Sequence, residues 1–326
     1  MRLGVVGTGA VGTRLARILA AGEGVESVAV CGRSPDSAAE VVRSVPGTVP
    51  AGLRDLQRAD AVVLATPSGT HWPMAVQLVR AGVAVVSVSG DPGEVRGLLA
   101  LDATARERGV PVVLGAAFSP GLTCVLAAHA AGWFETVMSV HVARQGAGGP
   151  ACARRYHAAL GRSAWVWLDG SWVRRRGGSG RELCWFPDPV GPADCYFGAL
   201  AEPQLLSRLF PDAATITARR AADRQDRLTS HLPMLTPPYA EGGLGAVRVA
   251  VGGTLQGESA QRVLGVAHNP AAATAAVAAA AVLSLAAGEA RRSGAMGLAE
   301  ALAPLSFLSA LTERGITPVL FEGVGL

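Results

Sequence analysis

The sequence contains no lysine, and all 29 of its basic residues are arginines. This absence excludes mechanisms that need a lysine amine: Schiff-base catalysis, the Walker-type lysine on nucleotide phosphates and the Tyr-x-x-x-Lys pair of some dehydrogenases. Any chemistry of this chain must therefore use other groups.

The chain also carries little charge and few cysteines. Charged residues make up 17% of its 326 residues, and the net charge is +4. With 50% hydrophobic residues, this length predicts a folded protein of two domains, and the scattered arginines predict no nucleic-acid surface. The five cysteines form no C-x-x-C pair, which favours reduced thiols in a cytoplasmic protein and predicts no metal site.

Long hydrophobic runs are scarce as well. The one candidate, residues 271–287, is nearly all alanine, includes Thr274 and Ser284, and is short for a membrane span. We interpret it as a buried helix and expect no membrane association. We also expect no signal peptide, because a strand pattern begins directly at the N-terminus.

The first third of the sequence alternates short apolar runs with helix-like stretches. Continuous Val/Ala/Leu runs are typical of parallel strands covered on both faces, and right-handed crossovers then build a doubly wound sheet. This pattern predicts an α/β fold whose N-terminal part, residues 1–121, is a Rossmann dinucleotide-binding domain. The predicted strands are residues 2–6, 27–31, 61–65, 83–88 and 110–114.

After residue 119 the pattern changes to a helix over residues 122–131 and then to longer, alternating strands. An Asp169-Gly170 pair between two β-rich runs predicts a hairpin. Residues 122–289 are therefore predicted to form an α+β domain with a mixed or antiparallel sheet, used for substrate binding and dimerisation. The tail, about residues 290–326, is predicted to be helical and to pack back on the first domain.

The first strand leads into Gly7-Thr8-Gly9-Ala10-Val11-Gly12 and then into a helix. Glycines at this spacing allow a tight turn, close approach of the backbone to a pyrophosphate, and close packing of the helix on the strand. The helix N-terminus supplies N–H groups to the phosphates. These six residues are therefore predicted to bind a dinucleotide.

The end of the second strand indicates which dinucleotide is bound. An NAD site usually has an acidic residue there for the ribose 2′-hydroxyl, whereas this chain has Arg33 and Ser34 and no carboxylate before Asp36. Because an arginine can make charge-assisted hydrogen bonds to a 2′-phosphate, the sequence predicts NADP(H) as the cofactor. The alternative is that Arg33 is a solvated loop residue.

Three further loops follow strand ends on the same predicted edge of the sheet, which in such folds faces the cofactor. Thr66 and Pro67 are expected near the ribose and nicotinamide, and His71 is a candidate proton donor or sugar contact, or alternatively a helix-capping histidine. Asp91 is a candidate substrate contact, or alternatively a turn former ahead of the next helix. The third loop contains Phe118 and Ser119, which we predict to lie at the substrate.

The chain resembles the saccharopine dehydrogenase-like reductases. The resemblance is carried by the glycine fingerprint and by Pro120-Gly121-Leu122 at the crossover between domains. It is also carried by Trp167-Leu168-Asp169-Gly170-Ser171-Trp172, by Phe186-Pro187-Asp188-Pro189-Val190-Gly191, and by the run from Gly288 to Pro318. The family implies an NAD(P)-dependent oxidoreductase of amino acids or imines.

Two departures from related dehydrogenases are informative. The diaminopimelate dehydrogenases have an aspartate before the crossover Pro-Gly, where this chain has Ser119. The sugar and inositol dehydrogenase relatives share the Thr66-Pro67…His71 edge but use a lysine in a Glu-Lys-Pro motif, where this chain has Gly90-Asp91-Pro92. Reduction of an iminium needs less acid–base help because the acceptor is already positive, so a site without lysine is compatible with imine reduction.

The resemblance also implies a second domain that holds a carboxylate-bearing substrate. Arginine suits a carboxylate because its planar fork binds both oxygens. The candidate anchors are Arg144, Arg154, Arg155 and Arg224, together with Tyr156.

The sequence therefore predicts an NADP-dependent oxidoreductase, with His71 and Ser119 as the catalytic candidates, acting on a small substrate by imine reduction or amino acid/oxo acid interconversion. It is expected to be a homodimer, the commonest oligomeric arrangement. One alternative is a cofactor-binding scaffold that has lost turnover, and another is a sugar or polyol dehydrogenase.

Overall fold

A computed structural model of the chain describes residues 1–234 and 242–321. The chain divides into two compact units, which are treated separately below. Unit 1 comprises residues 1–117 and 271–303, and unit 2 comprises residues 118–270 with the described residues from 304 onward.

The strands of both units follow in chain order. They are β1 (Arg2–Val6), β2 (Ser27–Cys31), β3 (Thr48–Pro50), β4 (Ala61–Leu64), β5 (Ala84–Ser87), β6 (Pro111–Leu114), β7 (Thr136–Gln145), β8 (Ala164–Leu168), β9 (Ser171–Arg175), β10 (Glu182–Phe186), β11 (Gly191–Phe197), β12 (Thr215–Ala221), β13 (Gly245–Leu255), β14 (Glu258–His268), β15 (Gly294–Gly297) and β16 (Val319–Phe321).

The helices connect these strands. They are α1 (Ala10–Ala20), α2 (Pro35–Ser44), α3 (His71–Arg80), α4 (Pro92–Leu99), α5 (Asp102–Glu107), α6 (Leu122–Ala131), α7 (Pro150–Gly161), α8 (Glu202–Leu209), α9 (Arg224–Thr229), α10 (Pro270–Ala286), α11 (Leu298–Ala301) and α12 (Pro304–Thr312), with a 3₁₀ turn at Asp55–Arg58.

Unit 1 is built on a seven-stranded parallel sheet in the order β15-β6-β5-β4-β1-β2-β3. Its central strands consist mainly of apolar residues, and Val5, Val63 and Val86 are completely buried. The strand order reverses between β1 and β4, the place where doubly wound folds bind their ligands. Val6 and Leu64 stand opposite each other there, so the loops after these two strands leave the sheet side by side.

Unit 2 is built on a mixed sheet in the order β10-β11-β12-β7-β13-β14-β16, with the β8–β9 hairpin attached to β12. Within this sheet β12 and β7 are parallel, and the other neighbours are antiparallel. The apolar helix α6 packs on β13 and β14, and α8 and α12 pack on α6. The predicted fold class, a doubly wound parallel sheet followed by an α+β part with a mixed sheet, is confirmed.

The hairpin predicted at Asp169-Gly170 is present between β8 and β9. Both turn residues have positive φ, 45° for Asp169 and 75° for Gly170, which is the backbone that a two-residue turn between twisted strands requires. Trp167 and Trp172 stand opposite each other on this hairpin with their rings 5.2 Å apart in an edge-to-face arrangement.

The C-terminal tail was predicted to be helical and to pack on the first domain, but it contains two strands and is divided between the two units. The short segment β15 pairs parallel with β6 and completes the sheet of unit 1, whereas β16 pairs with β14 in unit 2. The chain returns to unit 1 at residue 271, where the sequence predicted this border near residue 290, and it leaves unit 1 again after residue 303. Neither strand has enough local pattern to be recognised, because each is defined by the strand edge that it meets. Among the described residues, no helix is both long and apolar enough to cross a membrane.

Candidate functional site

The loop between β1 and α1 has the geometry that its three glycines predict. Gly7 has a φ of +128°, and a Cβ atom there would overlap the carbonyl group of Ala65 after β4. A Cβ atom on Gly12 would overlap the carbonyl oxygen of Gly7. In contrast, a Cβ atom on Gly9 would meet nothing within 4 Å. Two glycines therefore let backbone segments touch, and the third leaves open space beside the loop.

The open space lies at the N-terminus of α1. Gly9 is the N-cap of this helix, no side chain caps it, and its first turn contains no acidic residue. The helices α2 and α4 differ, because the side chains of Ser34 and Asp91 cap them. An uncapped N-terminus presents backbone N–H groups and positive dipole, so the loop that carries Thr8, Ala10 and Val11 has a backbone that fits a pyrophosphate.

At the end of β2 the chain turns outward through Gly32 into α2. The Arg33 side chain is exposed, while the Ser34 hydroxyl accepts a hydrogen bond from the Ser37 N–H at 3.4 Å and so begins α2. Because β2 runs parallel to β1, Arg33 follows the strand beside the glycine loop. Its guanidinium is available to an anion on that side, whereas Ser34 has a structural role in the helix.

The loop after β4 is held by its own hydroxyl groups and by His71. The Oγ1 atoms of Thr66 and Thr70 are 2.7 Å apart, and the Thr70 hydroxyl donates to the carbonyl of Pro67 at 2.8 Å. Beneath them His71 is completely buried at the start of α3. This loop adjoins Gly7 through Ala65, so Thr66 and Pro67 lie at the reversal point of the sheet.

Both ring nitrogens of His71 are engaged inside unit 1. Nε2 lies 2.9 Å from the carbonyl oxygen of Thr66 and Nδ1 lies 2.8 Å from the Ser87 hydroxyl. Since a carbonyl can only accept, Nε2 carries the proton and Nδ1 accepts from Ser87. Burial lowers the pKa of His71, against the opposing effect of the Glu94 carboxylate and the Thr66 carbonyl. This is the arrangement of a neutral histidine that positions the loop.

Asp91 begins α4 as its N-cap. Its Oδ1 accepts from the N–H groups of Gly93 at 2.9 Å and Glu94 at 3.1 Å. This geometry is the one expected of a turn former ahead of the helix, which was the alternative to a substrate contact for Asp91.

In unit 2, Ser119 connects two buried side chains that are far apart in the sequence. Its hydroxyl donates a hydrogen bond to Oε1 of Glu202, and its backbone carbonyl accepts from the Tyr156 hydroxyl at 2.8 Å. Phe118 and Ser119 are both buried, and the helix α6 begins directly after Gly121. The crossover segment is thus fixed by α7, which carries Tyr156, and by α8, which carries Glu202.

The ring of Tyr156 lies between two guanidinium groups. The Cζ atom of Arg144 is 3.4 Å from the ring centroid and that of Arg155 is 3.8 Å from it. Such cation–π contacts favour the positive charge at the ring faces. Burial raises the pKa of Tyr156, although the two arginines act in the opposite direction, so the hydroxyl keeps its proton and donates to Ser119.

Arg144 lies at a position of β7 that faces the core, and only 2% of its surface is exposed. Its Nη2 donates to the carbonyl of Gly146 at 2.6 Å, but its Nε has no hydrogen-bond partner. Within the described part of the chain no carboxylate forms an ion pair with Arg144. A buried guanidinium without a counter-charge is costly, and an anion would relieve that cost.

A second arginine, the partly buried Arg220, stands opposite Arg144 on the neighbouring strand β12. Burial lowers its pKa to about 10, the charge of Arg144 adds to this effect, and Asp226 opposes it. Asp226 lies 3.5 Å from Arg220 and is shared with His157 at 3.6 Å. Asp226 is therefore shared between Arg220 and His157 and forms no ion pair with Arg144 among the described residues.

The structure therefore brings together four of the residues singled out from the sequence for unit 2: Ser119, Arg144, Arg155 and Tyr156. The side chains of Arg154 and Arg224 are instead exposed on the surface of unit 2. Arg154 and Arg155 are separated because neighbouring helix positions point about 100° apart.

Sequence reasoning missed Glu202 and Arg220. Arg220 lies on the same side of β12 as the buried residues Ile216 and Ala218. The alternating pattern of the strand could therefore have revealed its position facing the core. Glu202 gave no such signal, because an acidic residue in the first turn of a helix is common on surfaces. Among the described residues, no group of three or more His, Cys, Asp or Glu side chains is arranged to hold a metal ion.

Comparison with known proteins agrees with this geometry. Residues 1–115 match the family model described as "Oxidoreductase family, NAD-binding Rossmann fold". No curated protein matches the chain.

Among solved structures, the chain is similar to saccharopine dehydrogenase (L-Glu forming) from Saccharomyces cerevisiae, with 14% identity over 98% of this chain and 100% of that one and a TM-score of 0.76. It is also similar to DAP dehydrogenase of C. glutamicum in complex with DAP, with 15% identity over 96% of this chain and 98% of that one and a TM-score of 0.55.

The similarity predicted from the sequence is thus confirmed in the fold, which is that of saccharopine dehydrogenase. The match of residues 1–115 to the NAD-binding oxidoreductases supports an NAD(P)-dependent oxidoreductase with a Rossmann unit.

Proposed function

We propose that this protein is an NADP(H)-dependent oxidoreductase of a small, carboxylate-bearing substrate, which it reduces as an imine or interconverts between amino acid and oxo acid. The observation that carries the proposal is Arg144, a buried guanidinium with no carboxylate partner among the described residues and an Nε that lacks a hydrogen bond. A substrate carboxylate would supply both the missing charge and the missing acceptor.

Unit 1 supports the cofactor half of the proposal. The glycine loop leaves room beside Gly9 at an uncapped helix N-terminus, where a pyrophosphate fits. Arg33 is exposed at the end of the next strand, where no acidic residue stands, which supports the proposal that it binds a 2′-phosphate. We therefore assign NADP(H), and not NAD(H), as the preferred cofactor.

When bound, the nicotinamide supplies or accepts the hydride. The chain's own groups bind and orient the substrate: Arg144 neutralises its carboxylate, and Tyr156 holds Arg144 and Arg155 on its two faces. Ser119 holds Tyr156 in place through its backbone carbonyl. None of these groups is a strong acid or base at neutral pH, which suits an acceptor that is already an iminium.

The test has two stages. NADPH binding is measured by fluorescence titration, and NADPH oxidation is then followed with a pool of 2-oxo acids mixed with amines. We expect the unmodified protein to turn over at least one acid substrate. In Arg144→Gln the KM for that substrate should be roughly 10- to 100-fold higher, because one charge-assisted contact is lost, while the affinity for NADPH should be unchanged. Arg154→Gln, an exposed arginine of the same helix as Tyr156, is the matched control and should change neither.

Two outcomes would contradict the proposal. Tight NADPH binding without turnover on any acid would favour the scaffold alternative. Oxidation of sugars or polyols, with no effect of Arg144→Gln, would favour the sugar dehydrogenase alternative.

We also propose that the protein is a cytoplasmic homodimer that associates through unit 2. Four of the five cysteines are buried and all five are free thiols in the structure, which is consistent with a reducing compartment. Light scattering at micromolar concentration would contradict the dimer if it reported the mass of a single chain.

A further inference from the structure

Glu202 is a buried acid that the proposed carboxylate site does not explain. It is the first residue of α8, and only 1% of its surface is exposed. Its Oε1 accepts the hydrogen bond from Ser119, but its Oε2 is buried and has no hydrogen-bond partner. One of its two carboxylate oxygens therefore lacks a hydrogen bond.

An unpaired carboxylate oxygen in the protein interior is unfavourable, because the lost hydration is not replaced. The positive end of α8 offsets part of this cost. It does not supply a donor to Oε2, because no side chain or N–H group of the described chain reaches that atom. A ligand with an N–H or ammonium group would complete it.

Glu202 and Arg144 belong to one connected group of side chains. Arg144 stacks on the Tyr156 ring, the Tyr156 hydroxyl donates to the Ser119 carbonyl, and the Ser119 hydroxyl donates to Glu202. The charge of Glu202 also acts on the Tyr156 hydroxyl. The group is thus dipolar, with unneutralised positive charge at one end and an incomplete carboxylate at the other.

We propose that Glu202 is a specificity residue whose Oε2 binds the protonated nitrogen of the substrate, so that the site selects compounds carrying both a carboxylate and a cationic nitrogen. This inference rests on the proposed function, since it assumes that Arg144 binds the carboxylate. In this arrangement the carboxylate of the site is contributed by α8, and the hydroxyl of Ser119 in the crossover segment orients it.

The experiment compares acids that differ only in the amino group. Probes are pairs such as L-glutamate and glutarate, or L-alanine and propionate, whose binding to the NADP-loaded protein is measured by calorimetry. In the unmodified protein we expect the amino member of at least one pair to bind about 10- to 100-fold more tightly, as for one charge-assisted contact. Glu202→Gln should erase this preference while leaving the affinity for the deaminated acid unchanged.

Two variants control the result. Glu202→Asp keeps the charge and should keep part of the preference, which also covers the case in which Glu202→Gln does not fold. Glu135→Gln, an exposed acid of unit 2, should keep all of it.

The remaining outcomes separate the two proposals. If both members of every pair bind equally and Arg144→Gln weakens both, the role of Glu202 is overturned and the carboxylate site stands. If no pair binds, or if Arg144→Gln has no effect, both proposals are overturned.

Discussion

The guanidinium carbon of Arg144 lies 3.4 Å from the centroid of the Tyr156 ring, and the hydroxyl of the same ring is bonded to the backbone of Ser119. One aromatic side chain therefore fixes a buried cation and the crossover segment at the same time. The contact joins a β7 residue to an α7 residue, so it exists only after unit 2 has folded.

This double role predicts the effect of Tyr156→Phe on stability. The phenylalanine ring keeps the contact with Arg144 but leaves the buried Ser119 carbonyl without its donor, which should lower the free energy of unfolding by about 1–3 kcal/mol. Tyr156→Leu should lower it further, since both cation–π contacts are lost as well. Urea unfolding followed by circular dichroism measures both. Equal stability of the parent and Tyr156→Phe would contradict the role of the hydroxyl.

Cofactor preference should depend on Arg33. In the unmodified protein NADPH should bind more tightly than NADH, and Arg33→Ala should remove most of this difference, a roughly 10- to 100-fold loss for NADPH alone. Arg43→Ala, an exposed arginine near the end of α2, is the control and should leave both affinities unchanged. Similar affinity for the two dinucleotides in the parent protein would refute the assignment of NADP(H).

The glycines of the cofactor loop should respond differently to alanine. Gly9→Ala places a methyl group in open space, so the melting temperature should stay the same while NADPH binding falls, because that space is the predicted phosphate site. Gly12→Ala forces the new methyl group into the Gly7 carbonyl, so both stability and binding should fall. Thermal unfolding with and without NADPH distinguishes the cases. Unchanged NADPH affinity in Gly9→Ala would place the pyrophosphate elsewhere.

Stability near neutral pH should depend on His71. Because burial holds its pKa in the folded protein below the ordinary value of 6.5, the unfolded chain binds more protons between these two values. The contribution of neutral His71 is therefore complete above about pH 6.5 and is lost as the pH falls toward the folded pKa. His71→Gln should flatten this part of the pH dependence of unfolding. An NMR titration that found the folded pKa of His71 above 6.5 would contradict the argument.

The sequence by itself determined the parts that depend on local pattern. Apolar runs located five strands of unit 1, the glycine spacing identified the cofactor loop, and Asp169-Gly170 identified a hairpin whose turn residues do have positive φ. These features are readable because backbone conformation and strand burial are imposed by neighbouring residues in the chain.

Only the tertiary structure decided the rest. It separated buried Arg144 from exposed Arg154, added Glu202 and Arg220 to the site, and gave His71 two partners inside unit 1. It also showed that part of the tail, which was predicted to be helical, forms the strands β15 and β16. Apart from the contact of His71 with Thr66, each of these outcomes depends on a partner distant in the sequence or on the side of an element that faces the core. Burial and electrostatics therefore decide them, and the local pattern of the sequence does not contain that information.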